Sequence, residues 1–276
     1  MFKLFVLIFA AVGIFFWYPT SSDPIKKEVP PSTPQHSAQQ QTSEHSKATI
    51  FLLSILPPKQ DWPDPIQKIW LSLNIEEAVQ ERTNDIDWVP ITDIPIEMQQ
   101  ALLAIEDHNF YNHGAIDVDG ILRATLVNIT AGEVVQGGST ITQQLTKNLF
   151  LSQEQTLIRK TEEAMLSLVM EQHYTKDQLL EIYFNTTYFG AGATGIKSAA
   201  LTYFDKLPQQ MQLAECAVIA ALPYAPSALN PLENPEGCKK RQRLVLQTMV
   251  KRGYIGTALA EKASAEPVFL ANGATF

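Results

Sequence analysis

The chain has 276 residues, 45% apolar and 18% charged, with a net charge of −8. That length carries one substantial domain plus attachments, and the composition is that of an ordinary globular protein. The acidic balance argues against non-specific nucleic-acid binding, which needs a basic field, although a local basic cluster can still hold an anionic ligand.

Residues 4–18 are uncharged and apolar, preceded by Lys3 and closed by Trp17, Tyr18 and Pro19. Residues 1–18 are therefore expected to form a transmembrane anchor. They fall short of the roughly 20 residues that span a bilayer, but Lys3 can snorkel and the aromatics fit an interfacial belt. A cleaved signal peptide is the alternative, and Phe15-Phe16-Trp17-Tyr18 offers it no small-residue cleavage site. Lys3 faces Lys26 and Lys27 across the segment, so the distribution of positive charge leaves its orientation open.

Residues 19–47 contain five prolines and no aromatic residue, the pattern of a disordered tether. Residues 48–87 read as an N-terminal packing segment. It opens on the apolar run 50–56, which suits either burial or docking on a membrane surface.

Beyond Pro95 the periodicity predicts helix after helix. Pro95 suits a first helical position, followed by Met98, Ala101, Leu102 and Ile105. Asp117 is placed to cap a helix carrying Ile121, Leu122, Leu126 and Ile129 that stops at Gly132. Ser139 is the expected cap of the next helix. Residues 157–173 predict another, with an apolar face at Ile158, Met165, Leu168 and Val169. Thr175-Lys176-Asp177-Gln178 has the form of a capping box, and further helices fit 196–204, 213–222 and 238–252. Nothing alternates with period two for long, so the fold is expected to be mainly α. Cys216 and Cys238 are too few for a thiolate metal site; Cys216 reads as a small core residue, and their pairing is open.

Three polar groupings interrupt this pattern. Glu106-Asp107-His108-Asn109-Phe110-Tyr111-Asn112-His113-Gly114 puts carboxylates and imidazoles at the end of an apolar helix. Burial there can raise a carboxylate toward the working pH of a general base, while a solvated helix end is the plainer reading. Gly137-Gly138-Ser139-Thr140 before a helix suits an anion cradle, with Lys147 about two turns in, or simply a capped helix. Arg159 and Glu163 share a helix face, with Lys160 beside them, as a diphosphate clamp or a surface ion pair would.

In this order and spacing, the groupings resemble the family 51 glycosyltransferases, found in bifunctional penicillin-binding proteins and in monofunctional peptidoglycan transglycosylases. Glu106-Asp107-x-x-Phe110-x-x-His113 resembles the first family motif, in which a glycine is expected two residues after the histidine. Gly137-x-Ser139-Thr140-x-x-Gln143-Gln144-x-x-Lys147-Asn148 resembles the second, and Arg159-Lys160-x-x-Glu163 the third. Tyr183-Phe184-Asn185-x-x-Tyr188-Phe189-Gly190, Pro223-x-Ala225-Pro226-Ser227-x-x-Asn230-Pro231 and Arg241-x-Arg243 also fit. The likeness runs over residues 88–267, leaving 268–276 as a tail. Asp205 stands where the family usually has Gly, and Gln212 where a Ser or Thr cap is usual.

The resemblance implies a lysozyme-like, mainly α glycosyltransferase domain with a smaller membrane-facing lobe, on the outer face of the cytoplasmic membrane. It implies a peptidoglycan glycosyltransferase that polymerises lipid II and a growing lipid-linked glycan. Glu106 would be the general base, with Glu163 beside it in the catalytic set. Lys147, Arg159 and Lys160 would bind the diphosphate, and Gln144, Ser139 and Thr140 the donor. Asp107, Phe110 and His113 would shape the cleft. No cofactor is obligatory; a divalent cation, Mg²⁺ or Mn²⁺, is the one candidate, with Glu163 as its ligand. Other cell-wall synthesis proteins are candidate partners, and nucleic acid is not. The Ser-x-x-Lys and Lys-Thr-Gly signatures of a transpeptidase are absent, which fits a monofunctional enzyme and equally a truncated bifunctional one. A glycan-cleaving lytic transglycosylase or lysozyme-type enzyme and a non-catalytic lipid II-binding scaffold are the competing readings.

Overall fold

The computed structural model describes residues 63–132, 137–152, 154 and 156–276; the expected anchor, tether and apolar run 50–56 lie outside them. The fold is mainly α, as expected. Among the described residues the only β pairing consists of two isolated bridges, Tyr188 with Thr194 and Phe269 with Thr275. No helix among them is long and apolar enough to cross a membrane.

Helices α1 (Asp64–Leu73) and α2 (Ile75–Thr83) are separated by Asn74. Helix α3 (Ile96–Glu106) begins after Pro95, whose ψ of 139° puts it at the cap, one place earlier than expected. Asp117 caps α4 (Val118–Ala131) by accepting from the Gly120 N–H, and Gly132 ends it at φ 73°, as expected. Helix α5 (Ile141–Phe150) is capped by Thr140, not Ser139. The reciprocal box needs its hydroxyl three residues before Gln143, and only Thr140 is so placed.

Helix α6 (Leu157–His173) corrects a second expectation. Ile158 is 74% exposed and Met165 and Leu168 are exposed too, while the buried face is Glu163, Leu166, Ser167 and Met170. Apolar periodicity misses this face because half of it is polar. Ser167 donates to the Glu163 carbonyl at 2.6 Å and to Thr146 of α5 at 3.1 Å, so its burial is compensated. The Thr175–Gln178 box opens α7 (Lys176–Thr186) as expected.

Helices α8 (Ile196–Phe204), α9 (Leu213–Ala221), α10 (Pro235–Lys251) and α11 (Thr257–Ala265) complete the chain. Helix α9 is buried from Ala214 onward and is packed between α3 and α10, with α11 on α10. A second group places α5 against α6 and α7, α2 against α6, and α8 against α7. Cys216 and Cys238 are free thiols in the core, and burial pushes Cys238 up to about 12.

Neither departure from the family pattern disrupts the fold. Asp205 takes φ 53° at the end of α8, the left-handed conformation a glycine would adopt, so the turn keeps its course. Gln212 makes no side-chain cap; instead the Glu215 carboxylate accepts the Gln212 N–H at 2.8 Å and pairs with Lys206 at 2.6 Å. By contrast, α4 packs extensively on no other helix among the described residues. It buries only Ala124 and exposes Leu122, Leu126 and Ile129.

Candidate active site

Glu106 is the last residue of α3, so its carboxylate leaves an apolar helix beside the start of the next motif. Burial raises its pKa above the ordinary value. Hydrogen bonding from Gln144 and the charges of Arg241 and Lys147 pull it down, while Asp107 adds to the rise; the net direction is up. That is the direction a general base near neutral pH requires. Gln144, on α5, donates Nε2–H to Glu106 Oε2 at 2.8 Å and accepts from the Tyr183 hydroxyl at 3.0 Å. Gln144 is thus tied to Glu106 on one side and to Tyr183 on the other.

The remaining first-motif residues hold the loop in place. Asp107 is buried, with Oδ1 on His113 Nε2 at 2.7 Å and Oδ2 accepting the Ile141 N–H at 3.0 Å. The other imidazole nitrogen, Nδ1, lies 2.5 Å from the Gly114 carbonyl. Burial opposes charging His113, but the Asp107 hydrogen bond, the Gly114 carbonyl and the Asp107 charge outweigh it, and its pKa rises. Both ring nitrogens lie against oxygen acceptors, an arrangement that favours the imidazolium.

Phe110 lies in the core beneath the Lys176 ammonium, 4.4 Å from its ring centroid, so it packs rather than touching a ligand. Ala115 stands two residues after His113, where the first motif carries glycine. Its carbonyl accepts the Thr140 hydroxyl at 2.7 Å. Thr140 is consequently a buried link between the first two motifs.

At the start of α5, where an anion cradle is expected, protein groups take three of the backbone N–H groups. Asp107 takes the Ile141 N–H, and the capping box takes those of Thr140 and Gln143. Gly138 also permits a close approach, since a Cβ there would lie 3.2 Å from the Ile121 backbone of α4, whereas one on Gly137 would meet nothing.

The cations are what remains for a diphosphate. Lys147 has no carboxylate partner among the described residues, and its charge acts on Glu106. Arg159 donates NH1–H to Glu163 Oε2 at 2.8 Å, and its buried Nε has no partner. Lys160 bonds Glu163 Oε1 and reaches Ser139 Oγ at 2.9 Å, joining the second and third motifs. Glu163 is 2% exposed, with both oxygens held by cations. Such a carboxylate aims cations, and a divalent ion beside it would meet the positive charges of Arg159 and Lys160; no cluster of three or more His, Cys, Asp or Glu side chains suits one among the described residues. The candidate Mg²⁺ or Mn²⁺ ligand set is therefore not supported by these donors.

A small cavity of about 40 Å³ joins Glu106 and Asp107 to Gly138, Ser139 and Thr140, and is completed by His108, Asp117 and Arg123. Burial and the Arg252 and Arg123 charges lower the His108 pKa, and Arg123 NH1 donates to its Nε2 at 3.1 Å, so this imidazole is neutral. Arg241 of α10 stacks 4.1 Å over the Tyr224 ring, and its charge reaches Glu106. Sequence reasoning noted His108, Tyr183 and Arg241 only within their groupings, with no role in the site, and overlooked Arg123. No local spacing signals them, because they arrive from four different helices or loops.

The fourth motif is a clamp. Asn185 accepts the Val89 N–H and donates to the Val89 carbonyl, each at 2.8 Å, while Glu181 accepts from Trp88 and Ile91. Gly190 at φ 90° passes so near Pro226 that a Cβ would lie 2.5 Å from its carbonyl oxygen.

The chain is similar to known proteins over much of its length. The family model described as Transglycosylase matches residues 73–250. A Cupriavidus necator protein described as a transglycosylase is 46% identical over 184 residues, which cover 67% of this chain and 79% of that protein. Penicillin-binding protein 1A of Aquifex aeolicus is 41% identical over 227 residues, 79% of this chain. The match covers only 31% of that longer protein. A solved structure of penicillin-binding protein 1A from Haemophilus influenzae gives a TM-score of 0.41 at 22% identity, over 67% of this chain and 18% of that one, too loose a likeness to argue from. The family match over most of the folded chain and the high coverage of the Cupriavidus protein lead to one conclusion: the chain belongs to the transglycosylase family, the family 51 glycosyltransferases.

Proposed function

We propose that the protein polymerises lipid II into β-1,4-linked glycan, with Glu106 as general base. The observation that carries this reading is a half-buried, hydrogen-bonded Glu106 with a raised pKa, set among cations that lack enough carboxylates to neutralise them. Glu106 removes the proton from the acceptor sugar's 4-hydroxyl as that oxygen attacks the donor's anomeric carbon. The new glycosidic bond forms while the anomeric carbon–phosphate oxygen bond breaks, and undecaprenyl diphosphate leaves with the electron pair. A single displacement inverts the anomeric centre and needs no second carboxylate as nucleophile.

Lys147 and Arg159 stabilise the charge that grows on the leaving diphosphate, the kind of preorganised electrostatics that lowers a barrier most. Glu163 holds Arg159 and Lys160 in place for it. The exposed apolar face of α4 faces the membrane and, with the anchor at 1–18, keeps the cleft beside its lipid-linked substrates on the outer side of the cytoplasmic membrane.

Product analysis tests the reading against its competitors. Purified protein incubated with lipid II in detergent should yield long glycan that muramidase digests. Shortened strands from sacculi, with no product from lipid II, would indicate a lytic enzyme, and binding without product a scaffold.

A further inference from the structure

We propose that Tyr183 is a positioning residue for this reaction, fixing the Gln144 amide so that it presents its N–H, and not its oxygen, to Glu106. The proposal rests on Glu106 being the base. An amide can present either end to a neighbour. With Nε2 toward Glu106, as found at 2.8 Å, Gln144 donates to the carboxylate. Reversed, its oxygen would face a carboxylate oxygen, an arrangement tolerable only when Glu106 carries a proton.

Tyr183 selects between the two. Its ring is fully buried on α7, so its hydroxyl must find a protein acceptor, and it finds Gln144 Oε1 at 3.0 Å. Donation then runs in one direction, from Tyr183 to Gln144 to Glu106, and ends on the ionised carboxylate that a base requires.

The charged groups around Glu106 do not duplicate this. Asp107 at the end of α3, Lys147 of α5 and Arg241 of α10 act on Glu106 through space. Tyr183 of α7 feels the Glu106 charge in turn. His108 is held by Arg123, Asp117 caps α4, and on α9 Glu215 is tied to Lys206. None of these hydrogen-bonds the Gln144 amide; among the described residues only Tyr183 and Glu106 do so.

The test is the pH dependence of kcat/KM on lipid II for the full chain in detergent. Tyr183→Phe keeps the buried ring and removes only the hydroxyl. Losing one hydrogen bond's worth of orientation should move the acidic limb upward by about half to one pH unit. The deficit should therefore be several-fold at low pH and shrink as pH rises. Gln144→Ala, which removes the donor itself, should shift the limb at least as far in the same direction. Adding Tyr183→Phe to it should shift the limb no further, because Tyr183 acts through Gln144.

A pH-independent loss in Tyr183→Phe, or shifts that add in the double variant, would overturn the relay. Failure of the underlying reading looks different: Glu106→Gln would then still polymerise. If Glu106→Gln is inactive while the limb stands still in both variants, the base stands and the relay alone falls.

Discussion

Glu162 and Glu163 are neighbours on α6, but successive helical residues are turned by about 100°, and the two acids face different surroundings. Glu163 is buried between Arg159 and Lys160, whereas Glu162 pairs with Lys68 of α1 at 2.6 Å near the surface. Glu163→Gln leaves two cations without their carboxylate and should remove most polymerisation. Glu162→Gln breaks a partly exposed pair of the kind worth about 0–1 kcal/mol, and should keep activity within a few-fold. Turnover of both folded variants on lipid II decides it, and equal losses would contradict this division.

Glu106 carries its own thermodynamic signature. Its folded pKa lies above the ordinary glutamate value of 4.5, so the protein favours its neutral form. Wild-type stability is therefore eroded as pH rises through that folded pKa, and Glu106→Gln, which cannot ionise, escapes the erosion. Melting temperatures measured from pH 4 to 8 should show the variant gaining on wild type as pH rises. A variant that falls further behind wild type toward neutral pH would show the ionised carboxylate to be structurally stabilised instead.

At the scale of elements, Asp107 joins the end of α3, the His113 imidazolium and the first N–H of α5. Asp107→Asn removes the charge that both partners need and should destabilise the fold by roughly 3 kcal/mol, the cost of breaking a buried pair. Its pH dependence follows from His113, whose folded pKa is raised above 6.5. The pairing contributes fully below about pH 6.5 and is lost as pH climbs through the folded value. Denaturant titrations should thus show the Asp107→Asn deficit narrowing as pH rises; a deficit that widens would assign His113 a neutral ring.

Helix α8 offers the opposite kind of substitution. Asp205 holds a left-handed φ of 53° that costs an L-residue about 1 kcal/mol. Asp205→Gly should raise stability by about that amount without altering activity. A loss of stability in thermal unfolding would mean that the Asp205 side chain contributes a contact there.

Over the whole molecule, the helical order was readable because caps announce helices locally: Asp117, Gly132 and the Thr175–Gln178 box all sit where periodicity places them. The face of α6 was not readable, because Glu163 and Ser167 are buried by partners on other elements and look like surface residues in sequence. The site divides in the same way. Motif spacing singled out Glu106, Lys147 and Arg159, but it also suggested substrate roles for Asp107, Thr140 and Phe110. Their atoms are engaged within the protein, a fact that depends on where α5 and the 107–115 loop meet. Tyr183 was legible only as part of the fourth motif, with no role in the site, since a tyrosine at core spacing is ordinarily packing and only its hydroxyl reaches Gln144.

The central claim, that Glu106 is the base of a polymerase, is tested most directly by incubating wild type and Glu106→Gln with lipid II and sizing the glycan. Matching circular dichroism and melting curves must first establish that the variant is folded. The account predicts long glycan from wild type and a loss of about 10²–10⁴-fold in the variant, the usual worth of a general base. Near-normal glycan synthesis by a folded Glu106→Gln protein would contradict it.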